Sequence, residues 1–153
     1  MLERIRKARL EDVKQIHSLI NFYANQDQMM PRSLNELYEN IRDFWVYEED
    51  AKIFGCCALH VVGWEDLAEI KSLAVELSKI KKGIGRQFIM ALLNEAREMG
   101  VKKVFALTYC PDFFKKMGFA EVEKTQFPHK IWAECCNCPK FPDCQEVALI
   151  REV

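Results

Sequence analysis

The chain has 153 residues, of which 50% are hydrophobic and 29% charged, and its formal net charge is −1. That length suits one domain with a core of its own, and the balance is that of a folded globular protein rather than a disordered or fibrous one. A charge so close to zero gives no general attraction for nucleic acid or an anionic membrane, no apolar run reaches the length of a membrane span, and Met1-Leu-Glu-Arg4 lacks the apolar stretch of a secretion signal. An intracellular, cytoplasmic protein with no nucleic-acid and no membrane partner is expected. Its seven cysteines are an odd number without a secretion signal, which favours thiols or metal ligands over a disulfide framework.

Ile5 to Arg9 reads as a first strand, and Val13, Ile16, Leu19, Ile20 and Tyr23 then recur at helical spacing to about Asn25. Pro31 and the capping box Ser33-x-x-Glu36 open a second helix whose apolar stripe is Leu34, Leu37, Tyr38 and Ile41. Phe44 to Tyr47 and Lys52 to Val62 read as strands separated by the acidic turn Glu48-Glu49-Asp50. Gly63-Trp-Glu-Asp66 turns the chain again into a strand over 67–75, which makes this part an antiparallel meander. Ile84, Phe88, Ile89, Leu92, Leu93, Ala96 and Met99 define one helical face, and Gly100 is placed to stop that helix in the left-handed conformation.

Val104 to Thr108 forms a buried strand, expected to lie parallel to 69–75 through a right-handed crossover. A short helix over Asp112 to Met117 ends at Gly118, Ala120 to Glu123 extends, and Val147 to Arg151 supplies a last strand. The fold class is α/β (α+β): a single mixed, mostly antiparallel sheet with helices on both faces, in one domain over 1–153. Residues 124–145, with Pro128, Pro139, Pro142 and four cysteines, form a Cys/Pro-rich loop of little periodicity.

The clearest chemistry lies between the strand at 67–75 and the helix from Ile84. Lys79-Ile-Lys-Lys-Gly-Ile-Gly-Arg86 is a basic Gly-x-Gly loop feeding directly into a helix. Gly83 and Gly85 lack Cβ atoms, so the backbone can take open φ values and converge its N–H groups on an anion at the positive helix end. Lys81, Lys82 and Arg86 add charge around it. On these residues alone, a phosphorylated ligand and a plain strand-to-helix turn with a solvated basic face both fit. The fuller P-loop pattern is absent, and position 88 is Phe where a dinucleotide fingerprint needs Gly, so nucleoside triphosphate and dinucleotide readings fall.

The β-α-α opening, the strand Ala68-Glu-Ile-Lys-Ser-Leu-Ala-Val75, the Gly83-Ile-Gly85 loop with its helix, and Phe113-Phe-Lys-Lys-Met-Gly-Phe119, taken in order, resemble the GNAT superfamily of acetyl-CoA-dependent N-acetyltransferases. The resemblance implies a GNAT-type acyl-CoA N-acyltransferase fold with acetyl-CoA as cosubstrate. The pyrophosphate would lie on Lys81, Lys82, Gly83, Ile84, Gly85 and Arg86, and the pantetheine arm would run along Leu73, Ala74 and Val75 like an added strand. Two positions depart from the family pattern. Ile80 stands where a Gln or Arg usually opens the loop, and Phe114, counted here with the cofactor-binding residues, stands where a Tyr often protonates the departing thiolate.

Asp27 to Phe44, Ala106 to Phe114 and Pro128 to Cys144 resemble short, stand-alone bacterial N-acetylglutamate synthases, which acetylate L-glutamate at the entry to arginine biosynthesis. This narrower resemblance implies L-glutamate as the small-molecule amine substrate. Another small amine or a protein amine on the same fold is one alternative, and a non-catalytic acyl-CoA-binding or thiol/metal sensor module is another. The amino-acid kinase domain of the long form has no place in 153 residues, so inhibition by arginine through that domain is not expected. A homodimer is the assembly kept open.

Direct acetyl transfer needs a base for the ammonium of the acceptor, donors for the thioester oxygen and a proton for the thiolate. Glu69 matches the family's strand glutamate that serves as base, against the alternative of an exposed sheet-edge carboxylate. Backbone N–H groups near Leu73 and Ala74 are the expected oxyanion donors. Tyr109, at the end of the next strand, is the substitute thiolate acid or else a packed aromatic. Glutamate carries two carboxylates, which suit the planar fork of Arg. Arg32, just before the capped helix, and Arg42, at that helix's end, are the candidates, because the first two helices usually wall the acceptor pocket in this fold. A helix dipole would account for Arg42 equally well. Lys71, which shares a strand face with Glu69, is a third candidate.

Cys135, Cys138 and Cys144, with His129, have the Cys-x2-Cys start of a zinc site but lack a second tight pair. The expectation is no bound metal, with the loop held by Pro128, Trp132 and Phe141. Cys56 and Cys57 read as core, and Cys110, near the expected thioester, is not needed as a nucleophile in direct transfer.

Overall fold

The structure, a computed structural model, describes residues 4–62, 66–123 and 146–153. In chain order its elements are β1 (Ile5–Lys7), α1 (Val13–Ala24), α2 (Leu34–Glu39), β2 (Phe44–Glu49), β3 (Lys52–Val61), β4 (Leu67–Val75), α3 (Ile84–Met99), β5 (Lys103–Thr108), α4 (Pro111–Lys116), β6 (Ala120–Glu121) and β7 (Val147–Glu152). Short 3-10 turns occupy Leu10–Asp12, Ile41–Asp43 and Leu77–Lys79. The strands form a seven-stranded mixed sheet in the order β1-β2-β3-β4-β5-β7-β6. Residues 63–65 of the expected turn, and the 124–145 segment with His129, Cys135, Cys138 and Cys144, lie outside the described residues. No helix of the described residues is long and apolar enough to cross a membrane.

The described residues fall into two compact units, those within Met1–Leu59 and Lys71–Leu92 and those within His60–Ile70 and Leu93–Val153. In the first, the apolar face of α1 (Val13, Ile16, Leu19, Ile20) packs with Leu37, Phe44, Val46, Ile53, Cys56, Ala58 and Ala74 into one core. β2 returns as β3 because Asp50 and Ala51 both take positive φ, 50° and 65°, the two-residue hairpin turn that matches strand twist. Gly55 on β3 leaves room for α3: a Cβ there would come within 3.0 Å of the Phe88 ring. Beneath the 3-10 turn, the guanidinium of Arg6 donates to both carboxylate oxygens of Asp12, at 2.8 and 3.1 Å, and the Arg9 amide donates to the same group at 2.8 Å.

α2 departs from the expected stripe. Leu37 is fully buried, whereas Leu34 and Tyr38 are exposed. The helix stops at Glu39, where the Asn40 side chain donates to the Glu36 carbonyl at 2.9 Å and so satisfies a terminal acceptor. Arg42 therefore sits on the separate turn Ile41–Asp43 and is exposed, not at the helix end expected for it.

In the second unit, β4 and β5 run parallel, with Leu67 opposite Lys103 through to Ile70 opposite Ala106, as the crossover through a helix requires. β7 lies antiparallel to β5, from Lys103 opposite Glu152 to Thr108 opposite Val147, and β6 flanks β7. Val62, Leu67, Phe105 and Ala148 form its core. α3 buries Ile84, Phe88, Ile89, Leu92, Leu93 and Ala96 as its periodicity predicts, but Met99 is exposed. The reason is a Schellman stop: Gly100 (φ +86°) donates to the Arg97 carbonyl and Val101 to that of Ala96, so Val101 is the apolar residue that turns back into the core.

Candidate active site

After β4 the chain passes through the turn Leu77–Lys79, where the Lys79 ammonium is held by Glu49 at 3.0 Å. Lys81 then takes φ +68° and Gly83 φ +80°, and α3 begins at Ile84. The Gly83 carbonyl accepts from the Gln87 amide at 3.1 Å, which makes Gly83 the residue capping the helix. A Cβ at Gly83 would meet nothing within 4 Å, so it is backbone conformation and not crowding that calls for glycine. Lys81, Lys82 and Arg86 are exposed around this helix end, and Ile84 is buried beneath it. Gly85 differs from expectation. It lies inside the first turn of α3 with helical geometry, and the second left-handed residue is Lys81, which no sequence rule singles out.

Three charged residues are buried among those described: Asp12, Arg32 and Glu69. A buried charge needs partners or a task. Asp12 is accounted for by Arg6 and Arg9. Arg32, 7% exposed, donates from Nε to Glu36 Oε1 at 2.9 Å and from Nη1 to the Ser72 hydroxyl at 3.0 Å, with its guanidinium 5.2 Å from the Phe44 ring centre. The first half of the capping box is present, since Ser33 Oγ accepts from the Glu36 amide at 3.1 Å, while the Glu36 carboxylate serves Arg32.

Ser72 is the residue on β4 that the sequence did not flag. It takes φ +59°, uncommon for any residue but glycine, in the middle of a strand. Its carbonyl accepts from the Cys56 thiol at 3.4 Å. Burial pushes that thiol up to about 12, with the Arg32 charge opposing, so Cys56 is a neutral donor. Beyond the kink, Leu73 and Val75 are half-buried and Ala74 is buried, and the Tyr23 hydroxyl donates to the Val75 carbonyl. Lys71, immediately before the kink, is half-buried.

In the second unit, Glu69 is 5% exposed on β4, opposite Phe105 of β5. That rules out the exposed sheet-edge carboxylate. Tyr109 follows β5 directly and is half-buried, and the exposed Cys110 next to it donates its amide to Thr108 Oγ1 at 2.9 Å. Phe114 is buried edge-on between Phe113 and Phe119, with ring centres 5.1 and 5.3 Å away, and has no proton to give. Cys56 and Cys57 are buried, as expected for core thiols. No group of three or more His, Cys, Asp or Glu among the described residues is arranged to hold a metal ion.

The sequence profile of the acetyltransferase (GNAT) family matches residues 10–119. The chain is 42% identical, over 96% of its length and 94% of the relative's, to an uncharacterized N-acetyltransferase of Chlorobaculum tepidum. It is 38% identical to an amino-acid acetyltransferase of Mycobacterium tuberculosis, over 87% of this chain and 77% of the relative. Its structure superposes on the N-acetylglutamate synthase of Neisseria gonorrhoeae, complexed with coenzyme A and N-acetyl-glutamate, with a TM-score of 0.89 at 26% identity. That match covers 97% of this chain and 34% of the longer synthase.

Proposed function

The chain belongs to the acetyltransferase (GNAT) family, an acetyl-CoA-dependent family, and from that premise we propose that it moves the acetyl group of acetyl-CoA to the α-amino group of L-glutamate. The observation that carries this reading is the likeness, over 97% of the chain, to a synthase complexed with coenzyme A and N-acetyl-glutamate. Arg32 in the first unit and Glu69 in the second are each buried charges, of the kinds that carboxylate binding and proton removal call for. Arg32 grips one carboxylate of the acceptor through its planar fork, with Lys71 and the exposed Arg42 as further contacts for the other.

Glu69 takes a proton from the α-ammonium, directly or through a water, and the amine nitrogen attacks the thioester carbon. The oxygen of the tetrahedral intermediate accepts hydrogen bonds from the amides near Leu73 and Ala74. The carbon–sulfur bond then breaks, the thiolate takes a proton from Tyr109, since Phe114 has none, and the second proton that the nitrogen sheds in becoming an amide passes to solvent, which reprotonates Tyr109. In this reading the protein works in the cytoplasm at the entry to arginine biosynthesis.

Thiol release from acetyl-CoA, measured with each proteinogenic amino acid in turn, tests the acceptor. The expected result is the highest kcat/KM for L-glutamate. Turnover of another amine with none of L-glutamate would assign the chain to a different acceptor.

The loop is tested separately. Gly83→Val forces a β-branched residue into φ +80°, a conformation that costs an L-residue about 1–2 kcal/mol, and places a side chain where the pyrophosphate would approach. KM for acetyl-CoA should rise by about tenfold or more while the circular dichroism stays that of the parent. Unchanged acetyl-CoA kinetics in a folded variant would take the loop out of the cofactor site.

A further inference from the structure

We propose that Ser72 is a positioning residue for the acceptor: its hydroxyl holds the Arg32 guanidinium in the orientation that receives a carboxylate, and the left-handed kink of β4 is what delivers the hydroxyl there. This rests on the reading that Arg32 grips the acceptor.

The kink has a conformational cost that Gly would avoid and Ser does not. What Ser retains in exchange is the hydroxyl, and that hydroxyl accepts from Arg32 Nη1 at 3.0 Å. The other polar end of the residue is tied as well, through the Cys56 thiol on the Ser72 carbonyl at 3.4 Å, so the kink is fixed from both sides. Arg32 is correspondingly held along its length. Glu36 takes Nε at 2.9 Å, Ser72 takes Nη1, and the Phe44 ring lies 5.2 Å from the guanidinium carbon. A long, rotamer-rich side chain fixed beforehand loses less freedom when a ligand arrives, which favours binding without any added contact.

The chemistry of the partner matters too. A carboxylate at position 72 would neutralise the charge that an anionic acceptor needs, on top of the neutralisation already given by Glu36. A hydroxyl orients the guanidinium and leaves its charge in place. Nothing about Ser in a strand signals this role in sequence. It follows from the φ of +59° and from the Arg32 contact taken together.

The test is steady-state kinetics on Ser72→Ala, Ser72→Gly, Arg32→Ala and the Arg32→Ala/Ser72→Gly pair, with L-glutamate and acetyl-CoA varied separately. Ser72→Gly removes the hydroxyl and accepts the kink without strain, while Ser72→Ala removes it and keeps the strain. Both single Ser72 variants are expected to raise KM for L-glutamate by about tenfold, with KM for acetyl-CoA and kcat near the parent values. The Ser72 change should add nothing in the Arg32→Ala background, because the two act through one contact. If Arg32→Ala raises KM for L-glutamate and neither Ser72 variant does, Ser72 is a turn residue only and the proposal fails while the role of Arg32 stands. If Arg32→Ala leaves that KM unchanged, both fall. A loss on both substrates in Ser72→Ala that Ser72→Gly does not share would assign the residue to backbone geometry and overturn the proposal.

Discussion

The Glu69→Gln protein is expected to bind both substrates and to turn over at least about a hundredfold more slowly than the parent. The α-nitrogen of an amino acid is an ammonium at neutral pH and has no lone pair with which to attack a thioester. Some group must take its proton, and Glu69 is a carboxylate buried to 5% exposure on β4, the strand that also carries Leu73 and Ala74. Glutamine keeps the shape and hydrogen-bonding size of that side chain and removes the basicity, so folding and KM should be preserved. The deficit should shrink as pH rises, because free amine is then present without help. A kcat equal to that of the parent at neutral pH would assign Glu69 to structure.

The largest effect on stability is expected from Asp12→Ala. Asp12 is 3% exposed and receives both ends of the Arg6 fork together with the Arg9 amide. Removing it leaves Arg6 without its main counter-charge and the turn at Leu10–Asp12 without its cap, at a cost of about 3 kcal/mol or more in unfolding free energy. Burial works against ionisation of this carboxyl, but the Arg6 side chain and the Arg9 amide outweigh it and hold it below the usual carboxylate range. A depressed folded-state value means that the contribution is complete above the ordinary Asp range and is lost as pH falls through the folded value. Denaturant unfolding of parent and variant should therefore differ most near neutral pH and converge in acid. Equal stability at neutral pH would show that the Arg6–Asp12 pair contributes nothing.

Most of the fold was legible because its elements are short and their apolar periods are clean. The α1 face, the β2-β3-β4 meander, the parallel pairing of β4 with β5 and the stop at Gly100 each follow from spacing or from one turn residue. The errors fall where a period cannot report its surroundings. Leu34 and Tyr38 continue the α2 stripe, yet only Leu37 is fully buried on that short helix. Met99 continues the α3 stripe, but the chain has already turned so that Val101 takes the buried place. The place of β7 between β5 and β6 is a long-range pairing that no local signal encodes.

The site divides in the same way. Gly83 is readable because only glycine accepts φ +80° without cost, whereas Lys81 at φ +68° and Ser72 at φ +59° carry no signature, and Ser72 is held by its contacts with Arg32 and Cys56. Arg32 reads in sequence as a carboxylate-binding residue from its chemistry alone, and its burial against Glu36 and Ser72 is a tertiary fact that no local pattern encodes. Arg42 reads in sequence as a helix-end residue and lies instead on an exposed turn, because α2 stops at Glu39.

The central claim is tested most directly by following the acceptor nitrogen itself. Acetyl-CoA and nitrogen-labelled L-glutamate are incubated with the protein, and the labelled α-nitrogen is observed by NMR while free thiol is measured in the same sample. The account predicts that the α-amine becomes a secondary amide, one per thiol released. Labelled glutamate that stays an amine while the protein is shown to bind acetyl-CoA would contradict it.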